Sequence, residues 1–130
     1  MALRKLDTSG RLDDELLNRF LEYGVRVLRL VEELERDARP RRVLDQMAGS
    51  GTSPGAQMFE AHDALSTADF LKCLGIAAKE LNESQYWIRI VMLMKWKSDR
   101  RLAPLLDETL QLTSIVKAMN ARTRRKTRRK

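Results

Sequence analysis

The sequence has 130 residues, with 25 Lys and Arg against 18 Asp and Glu, one His and one Cys. A chain of this length forms one domain whose core needs neither disulfides nor a structural metal. The lone Cys73 excludes an internal disulfide, and Cys73 with His62 cannot supply the four ligands of a zinc module. No stretch approaches the roughly 20 apolar residues that span a bilayer, and the first residues lack the apolar run of a signal peptide. We therefore expect a cytoplasmic protein with no membrane contact, no metal and no cofactor.

The net charge of +7 is concentrated at the C-terminal end. Eight of the 25 basic residues follow position 116 and no acid accompanies them, so residues 1–116 carry 17 basic and 18 acidic side chains. The folded body is thus nearly neutral. The C-terminal end has too few apolar side chains to pack as a core element. We therefore divide the chain into a flexible N-terminal arm (1–11), a helical bundle (12–119) and a disordered polybasic tail (120–130).

Three segments carry apolar residues at steps of three and four, which is the pattern of a helix with a buried face. The first runs from residue 12 to 34, and Pro40 marks its end because the residue before a proline is pushed out of the helical conformation. The others run from 66 to 96 and from 102 to 119. No window alternates with the period of a strand. Together with a helix between 41 and 64, the pattern predicts an all-α, antiparallel up-and-down four-helix bundle.

The segment from 41 to 64 allows two interpretations, because residues 48–56 are almost all small and include Gly49, Gly51, Pro54 and Gly55. Propensity favours a loop, since Gly costs about 1 kcal/mol and Pro about 3 kcal/mol in a helix interior. The alternative is a helix whose small residues permit a close approach to a neighbouring helix. We expect a second helix that is bent or interrupted near Pro54.

The third helix is apolar almost all round over residues 86–94, where Arg89 is the single charge. A helix of this kind is buried on more than one side, which a monomeric four-helix bundle does not provide. We therefore predict a homo-oligomer in which this helix joins subunits. The expected interface residues are Trp87, Ile90 and Met94. Because an unpaired buried charge is costly, we expect Arg89 to form a structural ion pair with Glu60 or Glu80, from a neighbouring helix or subunit.

Four fragments occur in the order found in a known family: GTSPGAQMFEA (51–61), STADF (66–70), IAAKE (76–80) and YWIR (86–89). With them, residues 16–119 resemble the four helix bundle protein family, whose founding members are encoded within intervening sequences of bacterial large-subunit ribosomal RNA genes. The resemblance implies a helix over the small-residue run, a homopentamer of up-and-down bundles, and no established enzymatic activity.

Three positions depart from the family pattern SGTSxGANxxEA, and they affect the local geometry of the second helix. Pro54 stands where an aliphatic residue is usual, Gln57 where Asn is usual, and Phe59 where an acid is common. A distant branch of the family, the accessory variability proteins of diversity-generating retroelements, is pentameric and basic and works with a reverse transcriptase and nucleic acid. The present sequence looks closer to the intervening-sequence branch.

The basic C-terminal end is the candidate nucleic-acid-binding site. Arg outnumbers Lys there, and a guanidinium group forms bidentate contacts with phosphate. No aromatic residue lies among them, so base stacking is unavailable and we expect contact with the RNA or DNA backbone without sequence preference. The residues are Lys117, Arg122, Arg124, Arg125, Lys126, Arg128, Arg129 and Lys130. The alternative function is a protein–protein interaction scaffold, including an accessory subunit of a reverse transcriptase.

No residue pattern supports catalysis. His62, Ser66 and Cys73 do not show the arrangement of a nucleophile, a base and an orienting group. The glycines at 49, 51 and 55 are not followed by the lysine of a phosphate-binding loop. We expect a non-enzymatic protein with no catalytic residue.

Overall fold

The computed structural model describes residues 11–129 and places most of them in four helices. These are α1 (Asp14–Arg36), α2 (Arg41–His62), α3 (Thr67–Leu93) and α4 (Asp99–Arg128). Within residues 11–129 there is no strand. The predicted all-α, four-helix architecture is therefore confirmed. No helix in this range is long and apolar enough to cross a membrane.

Three of the helices begin at a side chain that caps free backbone N–H groups. Asp13 accepts a hydrogen bond from the Leu16 N–H at 2.8 Å, which caps α1. Ser66 and Ser98 cap α3 and α4 in the same way, through the amides three residues later, each at 3.1 Å. A cap of this type is worth about 1 kcal/mol, so these residues fix where the helices start.

Each helix packs mainly against the next one along the chain, and α1 and α4 make the smallest contact. One apolar core runs through the four helices, with fully buried side chains from each of them. At one end of the bundle the Arg11 N–H donates to the His62 carbonyl at 3.2 Å, and the Arg11 guanidinium lies 5.0 Å from the centre of the Phe70 ring. Arg11 is thus attached to the bundle, and the rest of the expected flexible arm lies outside the described residues.

The contact between α1 and α4 is polar and is held by ion pairs. Arg19 donates to Glu108 through Nη2 at 2.6 Å and Nε at 3.1 Å. Arg101 donates to Glu33 at 2.6 Å, and the Lys97 ammonium lies 3.4 Å from the same carboxylate. Partial burial acts to raise the pKa of Glu33, but the hydrogen bonds and charges of Arg101 and Lys97 outweigh it and lower the pKa.

The second helix runs through Pro54 without interruption, so the expected interruption is absent and a bend there stays a prediction. The physical reason is close packing against α1. A Cβ atom placed on Gly51 would lie 2.4 Å from Val27 Cγ1, and one on Gly55 would lie 3.4 Å from the Phe20 carbonyl oxygen. Pro54 is itself buried. Burial of α2 against its neighbours outweighs the helix-breaking tendency of its small residues.

A buried hydroxyl cluster joins three helices in the core. The Tyr23 hydroxyl of α1 lies 2.7 Å from Ser84 Oγ of α3 and 2.7 Å from Thr109 Oγ1 of α4. Thr109 also donates to the Leu105 carbonyl at 2.8 Å, so within the cluster Thr109 Oγ1 accepts from Tyr23. Burial raises the pKa of Tyr23, and the hydrogen bonds with Ser84 and Thr109 offset this only in part.

The fourth helix continues well beyond the core. Val116 is its last buried residue, yet the helix ends only at Arg128. This continuation differs from the predicted disordered tail at residues 120–130. Its cause is local, because Arg124 Nε donates to Asn120 Oδ1 at 2.7 Å and Arg and Lys are good helix formers. A helix already nucleated by the core extends at low cost through such residues.

We expect Gly51→Ala to destabilise the protein and Gly49→Ala to stabilise it. Gly51 faces the stiff side chain of Val27, which must move to admit a methyl group. The free energy of unfolding should therefore fall by about 1–3 kcal/mol. A Cβ on Gly49 meets nothing within 4 Å, so Ala there gains about 0.5–1 kcal/mol from helix propensity. Chemical denaturation of both variants measures the two changes, and equal changes would contradict the close helix contact.

We expect Tyr23→Phe to lower the free energy of unfolding by about 1–3 kcal/mol, because two buried hydroxyls lose a partner. The difference in the free energy of unfolding between the two proteins should depend on pH. Tyr23 has a raised pKa when folded, so its contribution is complete below the unfolded pKa of about 10 and declines as the pH rises above that value. Urea titrations between pH 7 and 11 should show the two proteins converging, and a constant difference would argue against a buried neutral Tyr23.

Candidate nucleic-acid interface

The end of α4 from Lys117 onward is a cationic helix surface. Seven basic side chains are exposed there, and Lys130 lies outside the described residues. The seven are Lys117, Arg122, Arg124, Arg125, Lys126, Arg128 and Arg129. No described ion pair includes any residue after Glu108. The structure therefore brings the sequence-predicted residues onto one helix, where their charge is not balanced by acids.

Helical spacing divides these cations into two groups. Lys117, Arg124 and Arg128 share one face, since they are seven and four residues apart. Arg122, Lys126 and Arg129 share another, and Arg125 lies beside them. The first face borders α3, because Lys117 and Arg124 line clefts between α3 and α4. The second face borders α1, where Arg122 lines a cleft together with Arg11 and Arg19.

The α3 side carries two adjoining shallow clefts, which we call the α3–α4 groove. The first, of about 410 Å³, includes Gly75 and Ala78 of α3 with Lys117 and Arg124 of α4. The second, of about 530 Å³, shares Gly75 and Arg124 and adds Lys72 and Lys79 of α3. Sequence reasoning missed both lysines. Their spacing of seven residues places them on one helix face, but only the fold shows that α4 ends beside them.

The clefts on the two sides of the cationic end differ in whether acidic residues line them. The α1-side cleft, of about 370 Å³, contains the carboxylates of Asp13 and Glu15 among its cations. Arg19 in that cleft is already bonded to Glu108, and this hydrogen bond raises the Arg19 pKa. No acid lines either cleft of the α3–α4 groove. Lys72 also borders an acidic cleft between α2 and α3, but Lys79, Lys117 and Arg124 do not.

The predicted interface residues on α3 do not share one environment. Trp87 is half-buried and packs against the core, Ile90 is half-buried, and Met94 is 56% exposed. The structure adds Tyr86 and Leu93, which are 56% and 78% exposed. Tyr86, Ile90, Leu93 and Met94 recur at steps of three and four and form one outward apolar stripe, which we call the α3 stripe. Their role in a subunit interface stays a prediction.

A second apolar surface lies between α1 and α2, on the outer side of their close contact. Leu21 and Leu28 of α1 are partly exposed there, at 38% and 42%. With Val25, Ala56 and Phe59 they line a cleft of about 300 Å³, which we call the α1–α2 cleft. Sequence periodicity gave no sign of this surface, because Leu21, Val25 and Leu28 fall outside the buried stripe of α1.

Within the single chain, Arg89 does not occupy the buried position that the sequence predicts. Arg89 is exposed, and its Nε donates to Gln85 Oε1 of the same helix at 3.0 Å. Glu60 is exposed and Glu80 half-buried, and neither forms an ion pair with Arg89 within the chain. The error follows from treating residues 86–94 as apolar all round, whereas Arg89 lies on the solvent side of α3. An ion pair between subunits stays a prediction.

The three side chains examined for catalysis have other roles in the described structure. His62 Nδ1 accepts from the Leu12 N–H at 3.2 Å, and Ser66 caps α3. Burial, with the nearby charges of Glu60 and Asp69, raises the pKa of the Cys73 thiol, which disfavours the reactive thiolate. Within residues 11–129, no group of three or more His, Cys, Asp and Glu could hold a metal ion.

Comparison with known proteins gives a family match and similar solved structures, one of which is described below. The family model described as "23S rRNA-intervening sequence protein" matches residues 13–118, so the basic residues from Arg122 onward lie outside the match. The chain is also similar to a protein of unknown function from the S23 ribosomal protein family of Bacteroides thetaiotaomicron VPI-5482, whose crystal structure extends to 1.70 Å resolution. Sequence identity is 28% and the TM-score 0.77, over 81% of this chain and 97% of the other. A search of curated proteins found no match.

Proposed function

The chain belongs to the 23S rRNA-intervening sequence protein family, and on this basis we propose that it is a non-enzymatic, oligomeric accessory protein that binds the backbone of RNA or DNA. The observation that carries the proposal is the end of α4, where seven exposed cations lie on one helix without an ion-pair partner. Five of the seven are Arg, whose planar guanidinium suits bidentate contact with phosphate.

The chemistry of α4 favours backbone contact over reading of bases. No aromatic residue follows Trp96, so α4 offers no ring on which a base could stack. Phosphate contacts position a nucleic acid but carry no sequence information. Binding should therefore be indifferent to sequence and sensitive to salt.

Repulsion within the helix gives a second reason to expect an anionic partner. Three pairs of like charges are four residues apart on α4: Arg122 with Lys126, Arg124 with Arg128, and Arg125 with Arg129. Each pair destabilises an isolated helix by about 0.2–0.5 kcal/mol. Phosphates bound along this surface would remove the repulsion and stabilise the helix end.

Assembly into a homo-oligomer is part of the same proposal. The α3 stripe and the α1–α2 cleft are two different apolar surfaces on one chain. An interface between different surfaces is heterologous, and such an interface gives a ring when its rotation closes. We propose a pentamer, the state that the family resemblance implies. A ring would present five basic ends, which raises the apparent affinity for one long polymer.

The proposed subunit is an antiparallel up-and-down bundle. Arg19 of α1 pairs with Glu108 of α4, while Glu33, later in α1, pairs with the earlier Arg101. Val27 and Phe20 of α1 likewise face Gly51 and Gly55 of α2 in reversed chain order. These pairs support opposite directions for α1 relative to both of its neighbours.

A second candidate function is a protein-interaction scaffold, including an accessory subunit of a reverse transcriptase. The observation in its favour is the exposed apolar area of the α3 stripe, where Leu93 is 78% exposed. Exposed apolar patches mark docking surfaces for proteins. If the chain is monomeric and does not bind nucleic acid, this candidate replaces the first.

We expect neutralising the five Arg residues of the α4 end to weaken binding strongly and to reduce its dependence on salt. The variant changes Arg122, Arg124, Arg125, Arg128 and Arg129 to Gln. Its matched control changes five exposed Arg residues elsewhere to Gln: Arg26, Arg29, Arg36, Arg42 and Arg100. If each Arg of the α4 end neutralises one phosphate, the slope of log affinity against log salt should fall in magnitude by about 3.5–4.5.

The measurement is fluorescence polarisation with labelled RNA and DNA at several salt concentrations. The control variant should keep most of the affinity and slope of the original protein. Equal losses in both variants would show that general net charge, and not the α4 end, determines binding. No binding by any of the three proteins would shift the proposal to the protein scaffold.

We expect light scattering to give about five times the 15.0 kDa of the chain, and Leu93→Glu to dissociate the assembly. A buried, unpaired carboxylate in the α3 stripe is costly, which is the physical basis of the loss. Leu65→Glu is the matched control, since Leu65 is 95% exposed and lies outside both apolar surfaces. A monodisperse monomer in the original protein, or equal effects of the two changes, would overturn the proposed interface.

A further inference from the structure

We propose that the α3–α4 groove binds the phosphodiester backbone of a nucleic-acid strand, with Lys72 and Lys79 of α3 and Lys117 and Arg124 of α4 as its phosphate-binding side chains. This inference rests on the proposed nucleic-acid function and gives it a location. It also assigns a role to α3, which contributes two of the four cations.

Charge distinguishes this groove from the other side of α4. The two clefts of the groove contain these four cations and no carboxylate. The α1-side cleft contains Asp13 and Glu15, which offset its cations. A polyanion gains most where positive side chains converge without competing acids. The electrostatics therefore favours the α3 side for the backbone, although both sides belong to the same basic helix end.

Small residues lower part of the groove floor, beside the larger Leu71, Leu74, Ile76 and Val116. Gly75 is exposed, and a Cβ placed on it would meet no atom within 4 Å. Ala68 and Ala78 of α3 and Ala121 of α4 line the same two clefts. A strand can thus approach the helix backbone closely while the longer Lys and Arg side chains reach it from the rim. The spacing of seven residues between Lys72 and Lys79 corresponds to about 10 Å along the helix axis.

Asn120 positions the guanidinium of Arg124 for this contact. Its Oδ1 accepts from Arg124 Nε at 2.7 Å, and Asn120 lines the same cleft. The hydrogen bond uses one of the five guanidinium N–H groups, and the other four stay free for phosphate oxygens. Asn120 therefore acts through Arg124 as a positioning residue.

The first part of the test removes charge. Lys72→Gln with Lys79→Gln should lower the affinity for labelled RNA and DNA and reduce the magnitude of the salt slope by about 1.4–1.8, the value for two phosphates. The matched control is Arg42→Gln with Lys95→Gln, which removes the same charge from exposed positions elsewhere. The control slope should change by less than half as much. Single-stranded RNA, single-stranded DNA and duplex DNA are tested separately.

The second part fills the groove without changing charge. Gly75→Met places a long side chain on the floor, and we expect it to weaken binding threefold or more. Gly49→Met is the matched control, because Gly49 is also exposed and a Cβ there also meets nothing within 4 Å. Far-UV circular dichroism, thermal melting and light scattering must show that both variants keep the fold and mass of the original protein.

The outcomes separate this inference from the proposed function. If the five-Arg variant of α4 loses binding while the lysine and Gly75 variants bind as their controls do, the basic end binds nucleic acid and the groove proposal is overturned. If all these variants bind like the original protein, both proposals fail. Selective losses in the lysine pair and in Gly75→Met, together with loss in the five-Arg variant, support both.

Discussion

The close contact between α1 and α2 at Gly51 is the constraint on which the rest of the bundle depends. Val27 of α1 occupies the space that any side chain at position 51 would need. One turn earlier on the same face of α1, Tyr23 bonds to Ser84 of α3 and Thr109 of α4. A single stretch of α1 thus contacts all three other helices. Because the Gly51 contact fixes the position of α1 along α2, it also fixes where the Tyr23 hydroxyl meets Ser84 and Thr109.

This arrangement separates the neutral body from the cationic end. Two cations of the body are paired between α1 and α4, Arg19 with Glu108 and Arg101 with Glu33. The pairs help to close α4 onto α1. Beyond Met119, which still packs against the core, α4 adds no side chain to the core, and no ion pair among the described residues includes this end of the helix. The stability of the bundle and the charge of its end can therefore change independently, which would suit the proposed binding of a polyanion.

Sequence periodicity predicted α1, α3 and α4, because apolar residues such as Phe20 and Leu74 recur with the helical period whatever their partners are. The family resemblance stated from the sequence is confirmed by the match over residues 13–118. Periodicity did not predict how tightly α2 packs, since local propensity at Pro54 opposes the helix and only tertiary burial favours it. Arg89 was misplaced for a related reason. A nearly uniform apolar run does not show which face of a helix meets solvent.

The basic residues of α4 could be read from the sequence, but the groove beside them could not. Lys72 and Lys79 are unremarkable on α3 alone, since the same helix also carries several acids. Their significance depends on a tertiary fact, that the end of α4 lies beside the start of α3. The role of Gly75 depends on the fold in the same way. By helix propensity alone, a glycine within a helix is unfavourable. The open space at Gly75 can serve as the floor of a groove only because cations surround it.

The positions of the apolar and cationic surfaces allow assembly and nucleic-acid binding to operate together. The α3 stripe occupies the last turns of α3, whereas the groove lies along its first half, so one helix carries both without overlap. In the proposed ring, contacts through the stripe and the α1–α2 cleft would leave the α3–α4 groove of each subunit open. Each groove alone would contact few phosphates, and so small a number of contacts is easily displaced by salt. Linking several grooves in one particle raises the effective concentration of the next groove once the first is occupied. The assembly would thus convert weak backbone contacts into stable binding of a long strand, while short fragments that reach one groove dissociate quickly.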